Sequence, residues 1–453
     1  MKKIFKWIII VCTVFIFAYA FSASYNSQNI DRLDYVIAIG VDKSPNDNNL
    51  QVSFEFTDLG TFSESNSLGS SNPIIDTVMA PSISGAINLM NAYAGKQVNL
   101  SHCKVVIFSE DVAKDGILEE VTYLMNDPQI RPTTNVIIST EKAKDYIENS
   151  TSSLEEILTK YYDIFPSSAE YTGYTSNILL SKFYQNLTNT ESGAIAILGT
   201  KSKSSQKNVS SQNSSSQNSN TQEESMQNST NQNTASNQIA QNTSSENIQT
   251  DTTNQIPNDT SLESIASGEK IVEGDRGTEN IGLAVFDGEH YIGKLSAIET
   301  LCYTLIEEEV DNFSVFIDNP FEKNKKIDLS VSSLKPVNTK VDLLKENPII
   351  TIKFNLTAKA LTGQDTLNFS DKDTLNAINN ALKEFLTSKM KDYLYKTSQE
   401  YKCDINGFYS IVKPKFLTIP EYENYNWKQK YQNAEFNIEI NSNVISSFLV
   451  QNS

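Results

Sequence analysis

Four cysteines, Cys12, Cys103, Cys302 and Cys403, and two histidines, His102 and His290, are the residues best suited to metal or redox chemistry in this chain of 453 residues. Structural zinc needs such ligands at close spacing, and a redox dithiol needs Cys-x-x-Cys; neither pattern occurs. His102 stands beside Cys103 ahead of an apolar run, where a hydrogen-bonded structural histidine is the simplest reading, and His290 falls in an exposed hairpin. Carboxylates are numerous, but a run such as Glu307-Glu308-Glu309 at a helix end reads as a solvated face and not as an acid–base pair. The chain also lacks a Walker or dinucleotide glycine loop, a Gly-x-Ser-x-Gly elbow, a His-Glu-x-x-His pair and an Asp-rich calcium loop. The residues therefore predict no catalytic set, no cofactor and no metal.

Charge excludes a further class. Lys and Arg number 37 against 55 Asp and Glu, a formal net charge of -18, which is the wrong sign for tracking nucleic-acid phosphates. The hydrophobic share of 39% is enough for two or three folded domains. It is unevenly spread. Between Lys201 and Thr260, 44 of 60 residues are Ser, Asn, Gln or Thr, with no aromatic residue and no glycine, so nothing there can bury a core. Residues 201–268 are expected to be a disordered low-complexity linker.

The elements that would position any site come in two blocks behind an N-terminal segment. Lys2, Lys3 and Lys6 precede the apolar run Trp7–Ala20, the pattern of an export segment within residues 1–23. Ala18-Tyr19-Ala20 fits signal cleavage, while the run counted through Ala23 is a short membrane-anchor candidate. The first block, residues 25–200, alternates strands with helices. Strands are expected at Tyr35–Val41 and at Leu50–Thr57, where Leu50, Val52, Phe54 and Phe56 share a face. A helix at Ile83–Ala94 ends at Gly95, and strand Lys104–Phe108 leads to a single helix running through Val112–Met125 with Ser109 as its cap. Strand Asn135–Ser139, helices at Glu141–Asn149, Ser153–Tyr162 and Asn177–Leu187, and strand Ala194–Leu198 complete it.

In the second block, residues 269–453, a hairpin turns at Asp287-Gly288 and helix Ala297–Ile306 follows with Ser296 as its cap. Extended segments at Ser314–Asp318, Ile327–Ser332 and Ile349–Ala360 precede a helix of about 30 residues, Asp371–Tyr401. Its stripe of Leu375, Ile378, Leu382, Phe385, Leu386, Met390, Tyr393 and Leu394 is expected to pack on its own sheet, and strand Glu435–Ile440 closes the block. The fold class is mixed α/β and α+β, a multidomain chain of mixed sheets with packed helices.

Short motifs recur through both blocks. They are Tyr35-Val-Ile-Ala-Ile-Gly-Val-Asp42-Lys43, Ser101-His-Cys-Lys-Val-Val-Ile-Phe-Ser109 running into Asp111-Val-Ala-Lys-Asp-Gly116, and Asp127-Pro-Gln-Ile-Arg131. In the second block they are Gly282-Leu-Ala-Val-Phe286, Gly293-Lys-Leu-Ser296 with Glu299-Thr300, and Lys402-Cys-Asp404-Ile-Asn-Gly407 with Trp427. In this order they resemble the Ger(x)C family, the C subunit of spore germinant receptors. The resemblance implies a non-catalytic, membrane-attached subunit on the extracytoplasmic face of the spore inner membrane, working beside A and B membrane subunits to trigger germination. It also implies three α/β domains, which places a further division near residue 343. Gly40, Asp42, His102, Gly116, Gly282, Phe286, Glu299, Asp404, Gly407 and Trp427 become candidates for structural or interface roles. From the residues alone, Gly40, Gly282 and Gly407 read as turn or close-packing glycines and Asp42 as a strand-end turn former.

One position departs from the family. Where members carry a lipidated cysteine, this chain has Ser24, and a hydroxyl cannot form the thioether; lipidation is therefore not expected, and the Trp7–Ala23 segment is the candidate anchor in its place. The competing functional class is an exported small-molecule binding protein, suggested by the α/β build and several aromatic residues.

Overall fold

Valine and isoleucine runs without polar alternation, such as Val105–Phe108 and Val136–Ile138, demand a sheet covered on both faces, whereas the strict alternation of Ile349–Ala360 demands one covered on a single face. The computed structural model describes residues 2–22, 32–45, 49–57, 74–150, 158–202, 265–269, 277–361, 369 and 371–445, and it contains one sheet of each kind. Ser24 and most of the expected linker lie outside the described residues.

The first sheet contains β1 (Leu33–Lys43), β2 (Leu50–Phe56), β3 (Ile74–Ala80), β4 (Gln97–Asn99), β5 (Val105–Ser109), β6 (Asn135–Ser139), β7 (Ala194–Lys201), β8 (Thr278–Asp287) and β9 (His290–Leu295). Its order is β3-β2-β1-β5-β6-β7-β8-β9, with the short β4 paired to β1. The centre β1-β5-β6-β7 is parallel, and both flanks are antiparallel. Helices connect and cover it: α2 (Ile83–Ala94), α3 (Glu110–Asp115), α4 (Leu118–Asn126), α5 (Ala143–Asn149), α6 (Leu158–Ile164), α7 (Ala169–Thr172) and α8 (Leu180–Leu187). Helix α1 (Lys2–Ser22) precedes them. Every residue of β5 and β6 is buried, as the unbroken apolar runs require.

The second sheet, β10 (Asn312–Asp318), β11 (Lys326–Asp342), β12 (Ile349–Ala360) and β13 (Glu435–Ile445), follows α9 (Ala297–Ile306) and runs antiparallel until its last pair, β12 with β13, which is parallel. Between that pair runs α10 (Lys372–Tyr395), which packs on β13 and β10 through Ile378, Leu382, Leu386 and Met390. Asp371 begins this helix by accepting the Thr374 N–H at 2.9 Å. Three short helices, α11 (Tyr409–Val412), α12 (Ile419–Tyr425) and α13 (Trp427–Tyr431), lead into β13. Both sheets belong to one compact unit.

Several expectations need correction. The β8–β9 hairpin does not open a separate C-terminal domain; it pairs antiparallel with β7 and extends the first sheet, supplying the partner that the exposed edge of β7 needs. The division expected near residue 343 falls in the turn between β11 and β12, two strands paired along most of their length. The linker is also shorter than expected at its far end: Ile265, Ala266 and Ser267 are buried, and the Ser267 hydroxyl donates to Leu198 O at 3.0 Å. Instead of one helix through Val112–Met125 there are two, because Gly116 takes a φ of 111° between them. Ser109 holds the cap position without a side-chain hydrogen bond. The long helix ends at Tyr395 and passes into a π-helical turn, Lys396–Glu400. Strand β3 had no counterpart in the sequence reading.

Candidate functional site

Positive-φ glycines and buried carboxylates are expensive to keep, so their positions show what the fold must hold fixed. At the C-terminal end of β1, Asp42 is buried and accepts the N–H groups of Ala143 at 2.7 Å and Lys144 at 3.0 Å. It therefore caps the start of α5, a helix 101 residues downstream. Burial raises its pKa, against the pull of those two donors. Gly40, two residues earlier, lets the helix approach: a Cβ there would lie 2.8 Å from Ile147 Cδ1. Asp42 is thus a long-range helix cap and not a strand-end turn former.

Seven of the ten candidate positions gather on one element, the β8–β9 hairpin. Gly282, on β8, has a φ of 95°, and a Cβ would meet Leu295 O at 2.3 Å. Phe286 is fully buried, edge-on to Phe183 at 5.3 Å and to Tyr291 at 6.0 Å. At the hairpin tip, Gly116 packs against Glu289 and His290; the Ile117 N–H donates to Glu289 O at 3.2 Å, and His290 Nδ1 lies 3.2 Å from Lys114 O.

The other side of the hairpin meets the C-terminal layer. Asp404 is 3% exposed, and its carboxylate accepts from Phe408 N at 3.0 Å, Tyr409 N at 2.9 Å and Trp427 Nε1 at 2.9 Å. Gly407, with a φ of 66°, makes the turn that aims those two backbone donors. Burial pushes the Asp404 carboxyl up to about 6, with the three donors pulling the other way. The neighbouring Cys403 thiol points at Phe286 O at 3.7 Å, the Gly193 N–H donates to Asp404 O, and Lys428, beside Trp427, pairs with Asp287 at 2.6 Å.

Glu299 completes the joint. Its carboxylate closes a capping box with Ser296 N at 2.7 Å and binds Lys396 Nζ at 2.9 Å; that ammonium also donates to Lys294 O on β9, as does the Tyr401 hydroxyl. Burial opposes the Lys396 charge, but Glu299 outweighs it and raises the pKa. The pair sits on the π-helical turn, where α10 is forced out of register to reach the hairpin. Replacing Lys396 with Met leaves a half-buried carboxylate short of a partner and lowers stability by about 1–2 kcal/mol, read from urea unfolding.

Matches to known families decide what this joint belongs to. Residues 26–201 match the family described as "Spore germination protein N-terminal domain", and residues 281–447 match "Spore germination B3/ GerAC like, C-terminal", together about three quarters of the chain. The chain belongs to the Ger(x)C family of spore germination proteins. YfkR of Bacillus subtilis (strain 168), which carries a spore germination name, is 25% identical over 135 residues, 29% of this chain and 35% of that protein, so the match spans about a third of the relative. A crystal structure of the GerBC protein overlaps with a TM-score of 0.48 at 12% identity, covering 90% of this chain and 96% of that one.

Within this Ger(x)C chain, His102 stands apart from the joint. Its ring is exposed, edge-on to Tyr35 at 4.6 Å, with Nδ1 3.2 Å from Ser101 Oγ. Among the described residues no group of three His, Cys, Asp or Glu side chains could hold a metal ion. Cys103, Cys302 and Cys403 are buried free thiols, and burial drives each pKa up.

Sequence reasoning missed Glu55. The alternation of Leu50, Val52, Phe54 and Phe56 assigns it to a solvent face, yet it is wholly buried and accepts the Tyr162 hydroxyl at 3.1 Å. Its other oxygen has no hydrogen-bond partner, and burial pushes the carboxyl up to about 8. The signal was in the neighbouring strands: an unbroken apolar β5 requires cover on both faces of the sheet.

Proposed function

We propose that this chain is the C subunit of a nutrient germinant receptor, acting without catalysis beside A and B membrane subunits at the extracytoplasmic face of the spore inner membrane. The observation that carries this reading is the destination of the family-motif residues. Seven of them serve the β8–β9 hairpin, where carboxylates are spent on backbone N–H groups, an indole and a lysine, a mechanical joint between two sheets. Such a joint suits a subunit that transmits or holds an arrangement of its partners. Crosslinking in spore membranes followed by capture of the tagged chain recovers the A and B subunits on this reading; recovery of neither contradicts it.

Attachment is assigned to α1. Among the described residues no helix is long and apolar enough to cross a membrane. The described part of α1 is nonetheless apolar on every side, with Trp7 70% and Phe15 74% exposed, and withdrawing each such side chain from water is worth about 1.5–3 kcal/mol. With Ser24 in place of the lipid-bearing cysteine, an uncleaved α1 is the remaining attachment. N-terminal sequencing of the native protein returns the residues of α1; a mature chain starting at Phe21 or Ser24 refutes this.

The solute-binding alternative rests on a cleft of about 270 Å³ lined by Lys43, Ser44, Leu50, Asp115, Gly116 and Glu120. Its one cation, Lys43, is already paired with Asp115, which leaves little to recognise an amino-acid carboxylate. Calorimetry with germinant amino acids separates the two, since tight direct binding favours the alternative.

A further inference from the structure

We propose that the end of the second sheet where β12 and β13 begin is a docking surface for an anionic lipid bilayer. Two loops meet there, residues 343–348 between β11 and β12 and residues 413–420 ahead of α12. They are tied side by side: Lys415 donates to Val341 O, Lys430 Nζ to Glu346 O at 2.9 Å, and the Glu435 N–H to Pro348 O at 2.9 Å. Each loop carries an apolar side chain at its tip, Leu344 at 93% and Leu417 at 95% exposure, with Ile419 at 65% beside the second. The fold has held these tips out on a firm base. Phe416 packs against Tyr422 at 5.6 Å and Tyr425 at 5.1 Å, and a Thr418–Glu421 capping box fixes the turn.

Charge identifies the occupant. Lys413, Lys415 and Lys345 are exposed beside the tips, and Lys430 lies over the Tyr425 ring. The acids at this end are Asp342, Glu346, Glu421 and Glu423; the segment Lys413–Ile419 itself contains none, and the Glu421 carboxylate turns back onto Thr418 N. Isolated leucines protruding from convex loops, ringed by lysines, match an interface in which apolar tips enter the acyl boundary while ammonium groups meet lipid phosphates. A protein partner would instead be met by a continuous face with a buried centre. The overall charge of -18 does not forbid this contact, because at physiological salt charges beyond about 8 Å are screened and the local lysines decide. The inference rests on the reading that the chain works at a membrane, and adds a second contact that would orient the folded part held there by α1.

The test uses the full chain with Cys12→Ser, since Cys103, Cys302 and Cys403 are buried and Cys12 is exposed. An environment-sensitive fluorophore is placed at Leu417→Cys, and in a separate protein at Lys359→Cys, an exposed site at the far end of β12. With vesicles about one third phosphatidylserine, the label at position 417 brightens about threefold and shifts to the blue while that at 359 stays water-like, and neutral vesicles give less than half the change. Leu344→Asp added to the labelled protein reduces the signal. If the protein floats with the vesicles but the 417 label stays water-like, docking is overturned while attachment through α1 stands. If the protein does not float at all, both fall. A blue shift at 417 that appears only when receptor partners are present overturns the bilayer assignment in favour of a protein interface.

Discussion

Asp404→Ala lowers the stability of the chain by about 3–5 kcal/mol, the cost of leaving the Phe408 and Tyr409 N–H groups and the Trp427 indole N–H buried without an acceptor. Asp404→Asn, which keeps one carbonyl oxygen in place, loses less than half of that. Urea unfolding at pH 7 measures both, and a loss below about 1 kcal/mol for the alanine variant contradicts the role assigned to this carboxylate. The same residue sets a pH dependence. Its folded pKa of about 6 lies above the ordinary 3.8, so its contribution is fully present below 3.8 and is lost as pH rises through about 6. In Asp404→Asn that window flattens.

Glu55→Gln removes a second and wider pH dependence. The folded pKa is about 8 against an ordinary 4.5; stabilisation from protonated Glu55 is complete below 4.5 and declines until pH passes about 8. The span corresponds to an effect on the order of 5 kcal/mol. Little difference between wild type and Glu55→Gln is expected at pH 5, and the variant is the more stable protein at pH 8. Chemical denaturation at the two pH values checks this, and parallel stability profiles for the two proteins contradict a neutral, buried Glu55. Tyr162→Phe probes the same contact by removing the hydroxyl donor to Glu55.

Local sequence carried the helices and strands whose ends have their own chemistry. Ile83–Ala94 is bounded by the Ser82 cap and by Gly95 at φ 69°, and Ala297–Ile306 opens with the Ser296–Glu299 box. What local sequence could not carry was pairing at a distance. The β8–β9 hairpin is separated from β7 by the low-complexity segment, so contiguity suggested a new domain, whereas the unpaired edge of β7 was the feature that decided its place. The capping of α5 by Asp42 across 101 residues is equally invisible to a local reading. The ten motif positions were legible as residues that matter, and their gathering on one hairpin was not, because the contacts Glu299–Lys396 and Cys403–Phe286 join elements about 100 residues apart.

Nutrient-triggered germination of spores lacking this chain is the most direct measurement of its role, made in a strain with no second such receptor. Loss of the response to at least one nutrient, restored by the wild-type chain and by Lys396→Arg but not by Asp404→Ala, is the result that a receptor subunit organised around the hairpin joint predicts. Unchanged germination with every nutrient contradicts it.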